Sequence, residues 1–236
     1  MIKLAIFDLD GTLVDTNTAV KKLRENDTTY KLLRKEGYDV DKEEVRKALK
    51  RTDKKVKSVK GVQRFQPGFF QLVLSKELDY DISDENAARI EEKIYSKILE
   101  NLELISGAKE ILEYLKEKEV KLFLLSNSRK KAMNGKLEKF DLRKYFDRVF
   151  SSEESGTVKS GYEPFKRILN EVDIPADEIL MVGNSLGEDA IANEFGMITA
   201  LLMDYIDCGG DGEEFVPDYE LNSLLDLKEI IEEKND

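Results

Sequence analysis

The stretch MIKLAIFDLDGTLVDT, residues 1–16, decides the fold class of this chain. Residues 2–7 form a short, nearly continuous apolar run, which is typical of a strand buried on both faces of a sheet. Asp8 and Asp10 follow, and alternation along a strand would point both side chains the same way. Because Gly11 lets the backbone leave the sheet, both carboxylates are predicted at the strand's carboxyl end, where α/β sheets bind ligands. The alternative is a turn rich in Asp and Gly after an edge strand.

The composition narrows the chemistry that the chain can perform. Its 236 residues include no histidine and a single cysteine, Cys208. This excludes histidine-dependent triads, His-ligated zinc and an intrachain disulfide, and leaves acid–base chemistry to Asp, Glu, Lys, Tyr or Cys208. A metal site would have to consist mostly of oxygen ligands, which suits Mg²⁺.

The charge balance narrows the expected partners. The formal net charge is −11, so nucleic acid is not an expected partner. No apolar run approaches the length that spans a membrane, and Asp8 and Asp10 interrupt any signal-peptide pattern early. The chain is therefore expected to be cytoplasmic and not bound to membranes.

Residues 17–100 show helical spacing of apolar residues and no convincing strand, and Ser83 is predicted to cap a helix that ends near Glu100. The segment is predicted to be a small helical domain inserted after the first strand. Within it, residues 42–64 hold ten Lys or Arg against three Asp or Glu. This basic stretch is either a solvated helix face or a lid that attracts an anionic substrate, with Arg64 as the candidate substrate contact.

The remaining residues, 101–236, are predicted to complete an α/β core with residues 1–16. Apolar runs alternate with helical patterns there, which predicts a doubly wound, Rossmann-like parallel sheet with right-handed crossovers. Ser106 and Ser223 are predicted helix caps. Strands are expected near residues 120–125, 146–151, 179–182, 197–203 and 216–221, and helices near 106–119, 130–140, 162–172 and 188–194.

Polar side chains follow several of these strands and can be considered together, because the carboxyl ends of parallel strands converge. Transfer of a phosphoryl group to a carboxylate needs a nucleophile, a proton carrier, a cation and donors for the phosphate oxygens. The residues at the strand ends supply each part, although alone each could be an ordinary turn or capping residue. They are Asp8, Asp10, Ser126, Asn127, Asn184, Ser185 and Asp189, with Lys159 in a nearby loop.

Asp8 is the predicted nucleophile, because it comes first off the buried strand. Asp10 could protonate the leaving oxygen and later deprotonate water. Ser126 offers a hydroxyl to the phosphate, and Lys159 would neutralise the phosphate and the nucleophile together.

A magnesium site is predicted beside these residues. Asn184 and Asp189 would hold Mg²⁺ together with Asp8 and a backbone carbonyl, for which Asp10 is the candidate.

Four segments resemble the motifs of the haloacid dehalogenase-like hydrolase superfamily: DLDGT (8–12), LLSNS (124–128), Lys159 in GTVKSGYEPF, and VGNSLGED (182–189). The resemblance implies that Asp8 is the nucleophile and Asp10 the general acid/base, with Lys159 as charge anchor and Mg²⁺ as cofactor. It also implies that the inserted helices form a helical cap like that of the family. The predicted substrate contacts are Gly11, Thr12, Ser126, Asn127 and Arg64.

Two positions refine this expectation. The fourth motif commonly begins with Asp where this chain has Asn184, whose neutral amide would weaken the affinity for Mg²⁺. Asp10 is kept in the family's phosphatases and phosphomutases, whereas its dehalogenases typically carry another residue there. The expected function is a Mg²⁺-dependent phosphatase acting on a small phosphate monoester. The alternatives are a phosphomutase on the same scaffold and a non-catalytic phosphate-binding module.

Overall fold

The computed structural model describes residues 1–59, 61–207 and 215–235, and the chain divides into two compact units. One unit comprises Met1–Asp15 and Glu103–Asp236, and the other is Thr16–Leu102. Cys208, a candidate for acid–base chemistry, lies outside the described residues.

The unit Thr16–Leu102 consists of helices, and its described residues contain no strand. As predicted, Ser83 caps the last helix, where its hydroxyl accepts a hydrogen bond from the Asn86 N–H at 3.3 Å. An apolar cluster that includes Leu33, Leu74 and Ile90 forms the core of this unit. The helices are α1 (Thr16–Glu25), α2 (Thr28–Lys35), α3 (Lys42–Ser58), α4 (Phe69–Glu77) and α5 (Asp84–Asn101).

The basic stretch lies mainly on α3, and at least five of the cations among its described residues form ion pairs inside the helical unit. Two acceptors that are nearly buried, Asp27 and Glu77, each take two of these cations. The hydrogen bonds from Lys42 and Arg46 hold the pKa of Asp27 below its ordinary value. The paired basic residues are Lys42, Arg46, Lys47, Arg51 and Lys55. Much of the positive charge is thus matched within the unit, which favours the helix-face interpretation over the lid.

The α/β unit is built on a parallel sheet of six strands, in the order β3-β2-β1-β4-β5-β6 among the described residues. This order confirms the predicted doubly wound, Rossmann-like α/β architecture. The strands are β1 (Leu4–Phe7), β2 (Lys121–Ser126), β3 (Arg148–Ser151), β4 (Ile179–Gly183), β5 (Ile198–Leu202) and β6 (Tyr219–Leu221).

Strand β1 lies at the centre of this sheet, and all four of its residues are buried. Its last residue, Phe7, is in register with Leu124 of β2 and Val182 of β4. The residues that follow these three positions therefore leave the sheet at the same edge. The strand order and register thus bring the ends of β1, β2 and β4 together.

Three helices of this unit lie close to predicted positions: α6 (Ala108–Glu117), α7 (Lys130–Lys139) and α9 (Glu163–Glu171). The unit also contains α8 (Ser152–Ser155), which was not predicted, and the C-terminal helix α10 (Leu227–Asn235). Two further predictions need correction. Ser106 is not the cap of α6, because Gly107 with a φ of +80° precedes the helix and gives no side-chain cap. The helix predicted near 188–194 is a 3₁₀ helix, Ala190–Phe195. It begins directly after Asp189, whose side chain accepts hydrogen bonds from the backbone of the preceding loop. Ser223 does form a capping box, with Asp226, at the turn that leads into α10.

No helix within the described part of the chain has both the length and the apolar character needed to cross a membrane.

The cap of α5 gives a test of the helical unit. We expect Ser83→Ala to lower the free energy of unfolding by about 1 kcal/mol, because the Asn86 N–H loses its acceptor. Ser96→Ala is the matched control: Ser96 is an exposed residue within α5 whose hydroxyl donates to the Glu92 carbonyl. Alanine favours a helix interior, so Ser96→Ala is expected to be neutral or slightly stabilising. Urea unfolding followed by circular dichroism measures both changes, and equal effects would contradict the capping role.

Candidate active site

Asp8 follows β1 and is buried at the centre of the sheet edge, with 6% of its surface exposed. Its backbone N–H donates to the Val182 carbonyl at 2.9 Å, so the residue is fixed by the sheet. One carboxylate oxygen, Oδ1, accepts from the Lys159 ammonium at 2.7 Å. The other, Oδ2, lies 3.4 Å from the Thr12 hydroxyl. Asp8 is therefore a rigidly held carboxylate with one oxygen against a cation.

Lys159 is also buried, and its ammonium bridges Asp8 and Asp189. Burial acts to lower the pKa of Lys159, but the charges of Asp189 and Asp8 outweigh burial and raise that pKa above its ordinary value. The lysine is therefore protonated at neutral pH. Its backbone N–H donates to the Asn127 side-chain oxygen at 2.9 Å, which fixes the turn that carries it.

The pKa of Asp8 is raised from its ordinary value to about 7. Burial is the main cause, and the charges of Asp189 and Asp10 add to it, whereas Lys159 acts in the opposite direction. The Lys159 charge alone does not compensate for the burial of this carboxylate. A further cation near Asp8 would lower its pKa and favour the ionised form.

Asp189 holds both the lysine and the loop after β4. Its Oδ2 accepts the backbone N–H groups of Asn184 and Ser185, each at 3.0 Å, while Oδ1 accepts from Lys159. Gly183 allows this arrangement, because a Cβ there would lie 2.3 Å from the Asp189 carboxyl carbon. In this structure Asp189 orients Lys159, and its role as a magnesium ligand stays a prediction.

Asn184 is oriented with its amide oxygen towards the Asp8 side of the site. Its Nδ2 donates to the Tyr205 carbonyl at 2.7 Å, and its Oδ1 lies 3.4 Å from the Thr12 hydroxyl, which also approaches Asp8. Gly11 is needed beside it, because a Cβ at this residue would lie 2.4 Å from Asn184 Nδ2.

The donors near Thr12 fit Mg²⁺ in kind, because carboxylate and amide oxygens are hard ligands. Asp8 Oδ2 and Asn184 Oδ1 are the two side-chain oxygens in question. However, the described residues contain no group of three or more His, Cys, Asp or Glu that could hold a metal ion. Of the two oxygens near Thr12, only that of Asp8 can carry a charge, because Asn184 is a neutral amide.

Ser126 is the last residue of β2 and Asn127 follows it, and the side chains of both residues form hydrogen bonds within the site. The Ser126 hydroxyl accepts from the Ser128 N–H at 3.0 Å. Asn127 Oδ1 accepts from Lys159 and from the Ser152 hydroxyl, whereas its Nδ2 is buried and has no partner among the described residues. A buried donor without a partner is costly, so this N–H is suited to binding an oxyanion or a water.

Asp10 is held by two residues that the sequence analysis did not identify, Lys136 and Ser128. Its Oδ1 accepts from the Lys136 ammonium at 2.5 Å, and its Oδ2 accepts from the Ser128 hydroxyl at 2.6 Å. Lys136 lies on α7 beside the buried residues Met133 and Leu137. The sequence did contain a clue to Lys136, since this lysine lies on the same face of the predicted helix as the apolar residues Met133 and Leu137.

The structure thus brings most of the predicted site residues together through direct contacts. Asp8, Thr12, Asn184, Asp189 and Lys159 form one connected set. Asp10 belongs to a second set with Ser128 and Lys136. Arg64 belongs to the helical unit, in the turn Val62–Phe65, and its role as a substrate contact stays a prediction.

The chain is similar to known proteins in sequence and in fold. The family model for haloacid dehalogenase-like hydrolases matches residues 5–201. The glyceraldehyde 3-phosphate phosphatase of Pyrococcus abyssi is 28% identical over 237 residues, which cover 100% of this chain and 96% of that protein. The pyrophosphatase PpaX of Halalkalibacterium halodurans is 27% identical over 237 residues, which cover 98% of this chain and 97% of that protein.

Among solved structures, the HAD-hydrolase YfnB of Bacillus subtilis has the same fold, with a TM-score of 0.75. The two chains are 20% identical, and the match covers 98% of this chain and 99% of that one.

The raised pKa of Asp8 predicts how stability depends on pH in the absence of divalent cations. Between the ordinary carboxyl pKa and about 7, the folded protein keeps a proton on Asp8 that the unfolded chain releases. The Asp8 contribution to the free energy of unfolding therefore falls as pH rises through this window, by a few kcal/mol at most, on the order of 1.4 kcal/mol per pKa unit. We expect Asp8→Asn to gain stability relative to the wild type as pH rises towards about 7, with no further gain at higher pH.

Urea unfolding in the presence of a chelator measures this difference. Asp177→Asn, which changes an exposed carboxylate of the same unit, is the control and is expected to show no such trend. A difference between wild type and Asp8→Asn that stays constant with pH would contradict the burial argument.

Proposed function

The chain belongs to the haloacid dehalogenase-like hydrolase family, and we propose that it is a Mg²⁺-dependent phosphatase that hydrolyses a small phosphate monoester through a phosphorylated Asp8. Membership of the family confirms the resemblance carried by the four motifs. The observation that supports the proposal most strongly is the buried Asp8 carboxylate, held at the sheet edge with Lys159 against one oxygen.

The proposed reaction has two steps on the chain's own residues. In the first, an Asp8 oxygen attacks phosphorus, the bond to the ester oxygen breaks, and Asp10 gives that leaving oxygen a proton. In the second, Asp10 takes a proton from water, which attacks the phosphorus of phospho-Asp8, releases inorganic phosphate and restores the carboxylate. Lys159 neutralises charge on Asp8 and on the phosphate in both steps.

Magnesium would be held by Asp8 and Asn184, with Asp189 and the Asp10 carbonyl as the remaining candidate ligands, and it would supply positive charge to the phosphate oxygens. The raised pKa of Asp8 supports this proposal, because the buried carboxylate lacks enough positive charge nearby. The Bacillus subtilis structure of the same fold was determined with bound magnesium.

Small phosphorylated molecules are the proposed substrates. The relatives from Pyrococcus abyssi and Halalkalibacterium halodurans carry the names of a glyceraldehyde 3-phosphate phosphatase and a pyrophosphatase. We propose that the helical unit serves as the cap domain and contributes substrate contacts, Arg64 among them. A helical unit inserted directly after the first strand and its Asp8–Thr12 motif supports this assignment.

The nucleophile is tested with p-nitrophenyl phosphate in the presence of Mg²⁺. We expect Asp8→Asn to lower turnover by about a thousandfold or more, since the amide cannot form the phosphorylated intermediate. Asp177→Asn serves again as the control and is expected to keep wild-type turnover. Substantial activity in Asp8→Asn would exclude Asp8 as the nucleophile. Inorganic phosphate released in step with p-nitrophenol identifies a phosphatase, whereas a long-lived phospho-Asp8 identifies a phosphomutase.

The amide at position 184 gives a second test. We expect Asn184→Asp to lower the Mg²⁺ concentration for half-maximal activity by about tenfold, because a charged ligand replaces a neutral one. Asn170→Asp adds the same charge at an exposed position of α9 and is expected to leave that concentration unchanged. An unchanged requirement for Mg²⁺ in Asn184→Asp would show that this residue does not bind the metal ion.

A further inference from the structure

Lys136, on α7, has a buried charged side chain, and the proposed reaction assigns it no role. Only 6% of its side chain is exposed, and it lies on the inward face of the helix beside Met133 and Leu137. A buried ammonium is costly unless it is paired and hydrogen-bonded. Its partners are Asp10 Oδ1 at 2.5 Å and the Ser128 hydroxyl at 3.3 Å.

Ser128 completes a triangle with these two residues, because its hydroxyl donates to Asp10 Oδ2 at 2.6 Å. The Ser128 backbone is itself fixed on both sides. Its N–H donates to the Ser126 hydroxyl at 3.0 Å, and its carbonyl accepts from the Ser151 hydroxyl at 2.7 Å. Each of the two oxygens of Asp10 therefore accepts a hydrogen bond from a donor that the scaffold holds in place.

We propose that Lys136 is a positioning residue that, together with Ser128, fixes the carboxyl group of Asp10 in the orientation needed for proton transfer. This inference rests on the proposed function, in which Asp10 exchanges protons with the leaving oxygen and with water. The Asp10 side chain is 28% exposed, so it can reach both the substrate and solvent. A partly exposed carboxyl group has freedom to rotate, and the two donors remove that freedom. Lys136 itself is too deeply buried to be offered to a substrate.

The proposal predicts an effect that depends on the leaving group. p-Nitrophenolate leaves without help from an acid, so formation of phospho-Asp8 from p-nitrophenyl phosphate does not need Asp10, whereas hydrolysis of the intermediate does. In Lys136→Met we expect a pre-steady-state burst of p-nitrophenol at the wild-type rate, followed by steady-state turnover reduced by about ten- to a hundredfold. With an alkyl phosphate, the first turnover itself is expected to slow by a similar factor.

A loss of packing alone would have a different signature, since a disturbed site lowers the amplitude and the rate of the burst together. Lys131→Met, which changes an exposed lysine of the same helix, is the matched control and is expected to retain both phases. Lys136→Arg keeps the charge and is expected to recover part of the steady-state rate. If Lys136→Met does not fold, Ser128→Ala removes the other donor and is expected to show the same separation of burst and steady state.

A double-mutant cycle with Asp10→Asn decides whether Lys136 acts through Asp10. If it does, Lys136→Met causes no further loss in the Asp10→Asn background, whereas independent roles give multiplied losses. Multiplied losses, or a burst that slows in parallel with the steady state, would overturn the positioning role. Failure of the proposed function is distinguishable, because wild-type protein would then show no phosphorylated intermediate and Asp8→Asn would retain turnover.

Discussion

The ammonium group of Lys159, buried between Asp8 and Asp189, is the interaction on which the rest of the site depends. Removing one partner of a buried ion pair typically destabilises the folded state by about 3–5 kcal/mol. Folding is therefore favoured only when the backbone keeps all three groups in contact. Asp8 is fixed by pairing to β4, Asp189 by the loop after β4, and Lys159 by Asn127 at the end of β2. Three parts of the sheet edge thus converge on one cation.

The ammonium group of Lys136 explains how the carboxylates of Asp8 and Asp10, two residues apart, can both lie at the same edge of the sheet. Asp8 and Asp10 would repel each other if both were ionised without compensation, and each has its own lysine. The two carboxylates also differ in their exposure to solvent: the side chain of Asp8 is 8% exposed and that of Asp10 is 28% exposed. The buried carboxylate suits a fixed nucleophile, and the partly exposed one suits exchange of protons with substrate and water.

Most of the fold, and which residues meet at the candidate site, could be predicted from the sequence because both follow from short, local patterns. The runs around Leu4–Phe7 and Ile179–Gly183 are continuous and apolar, as fully buried strands require, and parallel pairing then brings Asp8 and Asn184 to one edge. The prediction that Ser106 caps α6 was wrong because Gly107, with a φ of +80°, occupies the position directly before the helix. The contact between Asp10 and Lys136 could not be predicted, because it joins residues 126 positions apart in the sequence. In addition, a lysine side chain is ordinarily exposed to solvent.

The same charges favour the proposed requirement for a cation beside the substrate. When Asp8 is ionised, the three carboxylates of Asp8, Asp10 and Asp189 face two ammonium groups, so this part of the site is negative before a phosphate enters. Glu188 adds to this field, since its charge acts on Lys159. An anionic phosphate approaching such a site is repelled unless positive charge comes with it. Because the amide of Asn184 carries no charge, the proposed site would hold Mg²⁺ less firmly than a site with a carboxylate at this position.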